Sequence, residues 1–176
     1  MNRKIEFNLA GTKATAIMHD DRVPKTCDAI WKILPIEGRS IHANWSNREI
    51  MLHLGGKNFL KIEQEGTDVA GPIAPGDIRY YYRAPQMSRG SQKAYDPQFS
   101  RELSEFAIFY GFPSGGEADP IRSKPSQPGL TAHMLFATFE EIPNDFLLKC
   151  WDNRTKGLQQ ISVRRLEQVN LDDQKN

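Results

Sequence analysis

Nine of the eleven prolines of this 176-residue chain lie between positions 72 and 143. Proline removes a backbone donor and breaks helices, so this half must be built from short strands and loops. Helical periodicity occurs elsewhere. Val23, Cys27, Ile30, Trp31 and Leu34 form an apolar stripe that predicts a helix over about 23–34. Pro24 is pre-set for its first turn, Asp20 and Asp21 suit the positive end of its dipole, and Pro35 and Gly38 stop it.

Strand signals surround that helix. Ile5, Phe7 and Leu9 alternate with polar residues, and with Ala14–Met18 they predict a hairpin over 3–19. Residues 39–45 and 50–54 flank Ser46–Glu49 as a second hairpin. A two-residue loop at Asn47–Arg48 would place Trp45 opposite Ile50, Ala43 opposite Leu52 and Ile41 opposite Leu54 as a core face. That register also sets His42 opposite His53. Further strands are expected at Ile78–Arg83, Glu105–Tyr110, Leu130–Ile142 and around Ile161–Leu166, with a short helix or another strand from Pro143 through Trp151. Residues 84–104 and 112–130 read as long excursions, and such loops are often functional. One early helix among many short strands predicts a mainly β fold, a closed or partly closed barrel. A single domain over 1–169 and a polar tail at 170–176 are expected.

Composition limits the function classes. With 23 Lys+Arg against 22 Asp+Glu, the net charge of +1 lacks the basic surplus of a nucleic-acid or anionic-membrane binder. No apolar run is long enough for a membrane span, and Glu6 and Asn8 interrupt any signal-like segment, so a cytoplasmic protein is expected. Cys27 and Cys150 have no metal or redox spacing and read as reduced structural thiols. No phosphate loop, nucleophile elbow or metal motif occurs, so neither cofactor nor metal is expected.

Met18-His19-Asp20-Asp21-Arg22-Val23-Pro24-Lys25-Thr26, followed by Trp31 and Leu34, resembles the start of cyclophilins. A closer resemblance is to uncharacterised prokaryotic cyclophilin-like proteins, which are small single-domain barrels. It is carried by His42-Ala43-Asn44-Trp45-Ser46, by Gly76-Asp77-Ile78 with Tyr80-Tyr81-Tyr82, and by Ala107-Ile108-Phe109-Tyr110-Gly111, over roughly residues 5–111. The resemblance implies a cyclophilin-like barrel in a bacterial protein and assigns no activity. The Phe-His-Arg, Phe-Met-x-Gln-Gly-Gly and Phe-x-Met-Ala-Asn segments of active prolyl isomerases do not occur here.

The candidate site residues are His42, Trp45, Arg79, Tyr81 and Tyr110. Arginine forks a carboxylate while tyrosines donate hydrogen bonds, so an anionic or planar small molecule is the expected ligand. Each residue also has a structural reading: strand histidine, core indole, or barrel-wall tyrosine with its hydroxyl in water. Along 77–82, Asp77, Arg79 and Tyr81 share one face and Ile78, Tyr80 and Tyr82 the other. The leading expectation is a small-molecule binding or accessory protein. The alternatives are a diverged prolyl isomerase or other enzyme with His42 as base, and a homo-oligomeric module using Tyr80–Tyr82 or an edge strand.

Overall fold

The computed structural model describes residues 2–43, 48–62, 65, 73–83, 102–111 and 131–166. Strands β1 (Lys4–Leu9) and β2 (Thr12–Met18) form the first hairpin, followed by helix α1 (Pro24–Ile33). Next come β3 (Ile36–His42), β4 (Glu49–His53), a single 3-10 turn (Gly56–Asn58), β5 (Asp77–Arg83), β6 (Leu103–Phe109) and β7 (Thr131–Phe139). Helix α2 (Asn144–Lys156) and β8 (Gln159–Leu166) complete the described elements. The strands close into an antiparallel barrel in the order β1-β2-β7-β5-β6-β4-β3-β8.

The β1–β2 turn needs two residues at positive φ, and Ala10 (48°) and Gly11 (90°) supply them. Inside the barrel Phe7 meets Phe139 edge-on at 5.4 Å, and Phe139 meets Phe146 of α2 at the same distance. Helix α1 buries Cys27 and Ile30 and packs against β7, while α2 packs against β1 to β4. The residues around 143–151 are helical because Phe146, Cys150 and Asn153 recur at spacings of four and three on one buried face.

Several expectations are corrected. The carboxylate at the α1 N-terminus is that of Glu65, which accepts from the Lys25 and Thr26 amides at 3.0 and 2.8 Å and from the Thr26 hydroxyl at 2.9 Å. Asp20 instead accepts from the Arg3 amide and guanidinium. Gly38 does not end the helix but lies within β3, where an added Cβ would come 2.7 Å from Leu52 Cδ1. Most of the two long excursions (84–101 and 112–130) and the tail lie outside the described residues, and β6 begins at Leu103, inside the first of them.

The β3–β4 register differs by three positions from the one expected. His42 stands opposite Ile50, Ile41 opposite Met51 and Ser40 opposite Leu52. An odd shift exchanges the two faces of a strand. The inward face of β3 is therefore Ile36, Gly38, Ser40 and His42, and the connection to β4 is longer than two residues. His42 and His53 are not partners; His53 faces Glu105 of β6. Ring closure leaves these eight strands without an edge, and of the three successive tyrosines Tyr80 is fully buried while Tyr81 and Tyr82 are half-buried.

Candidate functional site

A barrel interior normally rejects polar side chains, so the polar half of the β3 face identifies the unusual end of this molecule. Ser40 is fully buried, its hydroxyl 3.2 Å from the Gln159 carbonyl. The buried Asn153 carboxamide of α2 donates to the Ser40 and Gly157 carbonyls at 3.0 Å, and its oxygen faces the Ser40 hydroxyl. These bonds fasten α2 across β3.

One turn of strand further on, His42 is 6% exposed, and its Nε2 is hydrogen-bonded to the Tyr110 hydroxyl at 2.6 Å. Burial, with Arg154 nearby, pulls the imidazole below its ordinary value of 6.5, while the Ala43 backbone partly offsets this. At neutral pH it is therefore uncharged. Burial, then the Cys150 sulfur, pushes the Tyr110 phenol up to about 12 against the opposing effect of Arg48 and Arg154. The pair is neutral, and His42 Nδ1 is buried with no hydrogen bond among the described residues.

Cations and an aromatic surface border this pair. The Arg48 and Arg154 guanidinium carbons lie 5.5 and 5.3 Å from the ring centroid of Trp151, which is 39% exposed. The Arg48 carbonyl accepts from the Tyr110 amide at 3.0 Å. The Arg48 stem lies where a side chain at Gly111 would be, 3.1 Å from an added Cβ. The group can supply hydrogen bonds from a buried interior and positive charge beside a planar ring at its margin.

The five expected site residues do not form one cluster. His42 and Tyr110 meet across 68 positions of sequence. Arg79 and Tyr81 point outward from β5, as their alternation predicts. Arg79 is 2% exposed, with Nη2 2.9 Å from Asp77 Oδ2, a carboxylate oxygen that also accepts from the Ala74 amide. Ile73, Ala107 and Phe109 form a second apolar cluster of their own. Tyr81 is half-buried beside Glu105. Trp45 lies outside the described residues.

Sequence reasoning missed Arg48, Trp151 and Arg154. The last two are three apart on one helix, but the short helix or strand expected there reached only Trp151 and so left Arg154 out; nothing local connects them to Arg48. Among the described residues, no group of three or more His, Cys, Asp and Glu side chains is arranged to hold a metal ion, and no helix is long and apolar enough to cross a membrane.

Residues 5–163 match the model of a family described as protein of unknown function, DUF3830. The chain belongs to the DUF3830 family. No curated protein matches this DUF3830 member. Among solved structures it is similar to McbB in complex with tryptophan, at 18% identity and a TM-score of 0.50. That match covers 94% of this chain and 45% of McbB, so the DUF3830 chain spans less than half of McbB's length. It is also similar to the hypothetical protein AF2241 from Archaeoglobus fulgidus, at 14% identity and a TM-score of 0.50, over 94% of this chain and 95% of that one. At these identities the likeness is one of fold.

Proposed function

We propose that this DUF3830 protein binds a small, planar, anionic molecule at the barrel end where His42 and Tyr110 meet. The carrying observation is the buried His42–Tyr110 hydrogen bond, with the second ring nitrogen making no hydrogen bond among the described residues, beside two arginines and an exposed indole. Arginine matches a carboxylate and Trp151 offers a stacking face. Trp45, in the connection between β3 and β4, belongs to the same ligand site in this reading. Arg79 and Tyr81 fall outside it, because they lie on the outer face of the wall. McbB was solved in complex with tryptophan, which joins a planar indole to a carboxylate, and this supports a related ligand class here. The reading includes one cyclophilin-like domain over 1–169 in a bacterial cytoplasmic protein, without nucleic-acid or membrane partners.

The test is thermal denaturation against a panel of aromatic carboxylates and aromatic amino acids, with a proline-peptide isomerisation assay alongside. A ligand at 100 times its Kd stabilises by about 2.7 kcal/mol. The expected result is a shift that disappears in His42→Asn and weakens in Arg48→Ala. A flat panel, or a shift unchanged in both variants, overturns the proposal. Isomerisation abolished in His42→Asn would replace it with catalysis.

A second reading rests on Leu148 and Leu158, which are 63% and 54% exposed. Large apolar side chains left this exposed are ones that a homo-oligomer contact would cover. Light scattering over a dilution series tests it, and a strictly monomeric protein overturns it.

A further inference from the structure

Helix α2 carries apolar side chains on the side turned away from the barrel as well as on its core side. Phe146, Cys150 and Asn153 are buried on one side. Leu148, Trp151 and Thr155 recur at spacings of three and four on the opposite side, where Leu148 is 63% and Trp151 39% exposed. One exposed apolar side chain is ordinary; two large neighbours on the solvent face of one helix are what the core of an interface is made of.

The charges beside this face decide which partner fits. Asp145, Lys149, Asp152 and Lys156, at spacings of four, three and four, line one flank with alternating sign. Within one copy the Asp152 carboxylate holds Lys156 at 2.9 Å and lies 3.9 Å from Lys149. The order acid, base, acid, base becomes base, acid, base, acid when read backwards. An antiparallel copy of the same helix therefore sets opposite charges against each other along the whole flank, whereas a parallel copy sets like against like.

On the homo-oligomer reading, on which this rests, we propose that two copies of the chain pair through α2, antiparallel about a two-fold axis midway between Lys149 and Cys150. Leu148 then stands level with the partner's Trp151, and Trp151 with the partner's Leu148, so each apolar residue covers the other. Asp145 falls within one helical turn of the partner's Lys156, and Lys149 of the partner's Asp152. Trp151 also borders the proposed ligand site, so the contact brings the sites of both copies to one interface. A 13-residue helix is about 20 Å long, and one such contact buries less than a standard interface, so the dimer is weak and dissociates on dilution.

Sedimentation velocity of the full chain over a dilution series, with the fold checked by circular dichroism, tests the pairing. The native chain is expected to be a reversible dimer. Leu148→Asn, at an exposed position, should weaken it about tenfold or more, because each dimer loses the contact on both sides of the axis. Asp145→Lys and Lys156→Glu should each weaken self-association about tenfold, since each sets like charges together on both sides of the axis. Mixed with each other, these two variants should regain association, because opposite charges again face across the axis. If either charge variant fails to fold, Leu148→Asn still decides. A strictly monomeric native chain overturns the pairing and the homo-oligomer reading together. A dimer that Leu148→Asn leaves at native strength, or charge variants that do not recover on mixing, overturns the pairing alone.

Discussion

The imidazole of His42 and the hydroxyl of Tyr110 meet 2.6 Å apart inside a closed barrel, both side chains buried and hydrogen-bonded to each other. Neither β3 nor the segment after β6 could bury its polar residue alone. The arrangement therefore makes direct predictions about stability and pH.

Tyr110→Phe keeps the ring and removes the hydroxyl, so His42 Nε2 loses the hydrogen bond it makes among the described residues. A loss of about 1–3 kcal/mol is expected from chemical denaturation. Because His42 is held neutral by burial, its folded pKa lies below the unfolded value. Its contribution is complete above about pH 6.5, falls as the unfolded chain takes up the proton first, and is gone below the folded pKa. Denaturation across pH 5–8 should show stability falling with acidification, and His42→Gln should flatten that slope.

Arg79 predicts a different signature. Arg79→Ala leaves the Asp77 carboxylate buried without the guanidinium at 2.9 Å, and a loss of about 3–5 kcal/mol is expected. Replacing both residues, as Asp77→Asn with Arg79→Met, should recover much of that loss. If the double variant is as unstable as the single one, the pair is not what Arg79 contributes.

Gly111 should report on the arginine margin. A methyl group there would meet the Arg48 stem at 3.1 Å and push it from the Trp151 ring. Gly111→Ala should change the Trp151 fluorescence and lower affinity for an anionic ligand, with little change in melting temperature. Since the Trp151 emission overlaps that of two other tryptophans, the comparison is made in a Trp31→Phe, Trp45→Phe background.

The cysteines should be silent. Both are buried; burial pushes the Cys27 thiol up to about 12 and the Cys150 thiol higher still. Neither should react with a disulfide reagent at pH 8 in the native protein, and both should react once it is denatured. Rapid labelling of the folded chain would mean that helix α1 or α2 opens more readily than its packing implies.

The parts of this fold legible in the sequence are those whose own side chains satisfy them. Ile5, Phe7 and Leu9 need only a core, so alternation locates β1; Val23, Cys27 and Ile30 do the same for α1. Strand β3 is misread because its inward face ends in Ser40 and His42. Their partners, Asn153 and Tyr110, are distant in sequence, and no local period records a hydrogen bond to them. Arg79 is similar. Alternation assigns its face correctly, but a pattern cannot reveal that the outer face is covered there and that the charge is spent on Asp77. Of the site, His42 and Tyr110 were recoverable as residue types, while Arg48 became relevant only through the backbone that brings it to Gly111.

The β1–β8 pairing also bears on how the molecule is made. Strand β8, the last of the barrel in chain order, lies between β1 and β3, with Phe7 opposite Val163 and Ile36 opposite the same residue. During synthesis the first hairpin, α1 and β3 all emerge before the segment that joins them. Until β8 arrives, β1 and β3 each wait with one row of backbone amides and carbonyls unpaired. Closing the ring is thus a long-range event, of the kind that makes β folding slow. In the nascent chain the polar end of β3 cannot receive Asn153, or be joined to β1 through β8, until nearly all of the barrel sequence has been made.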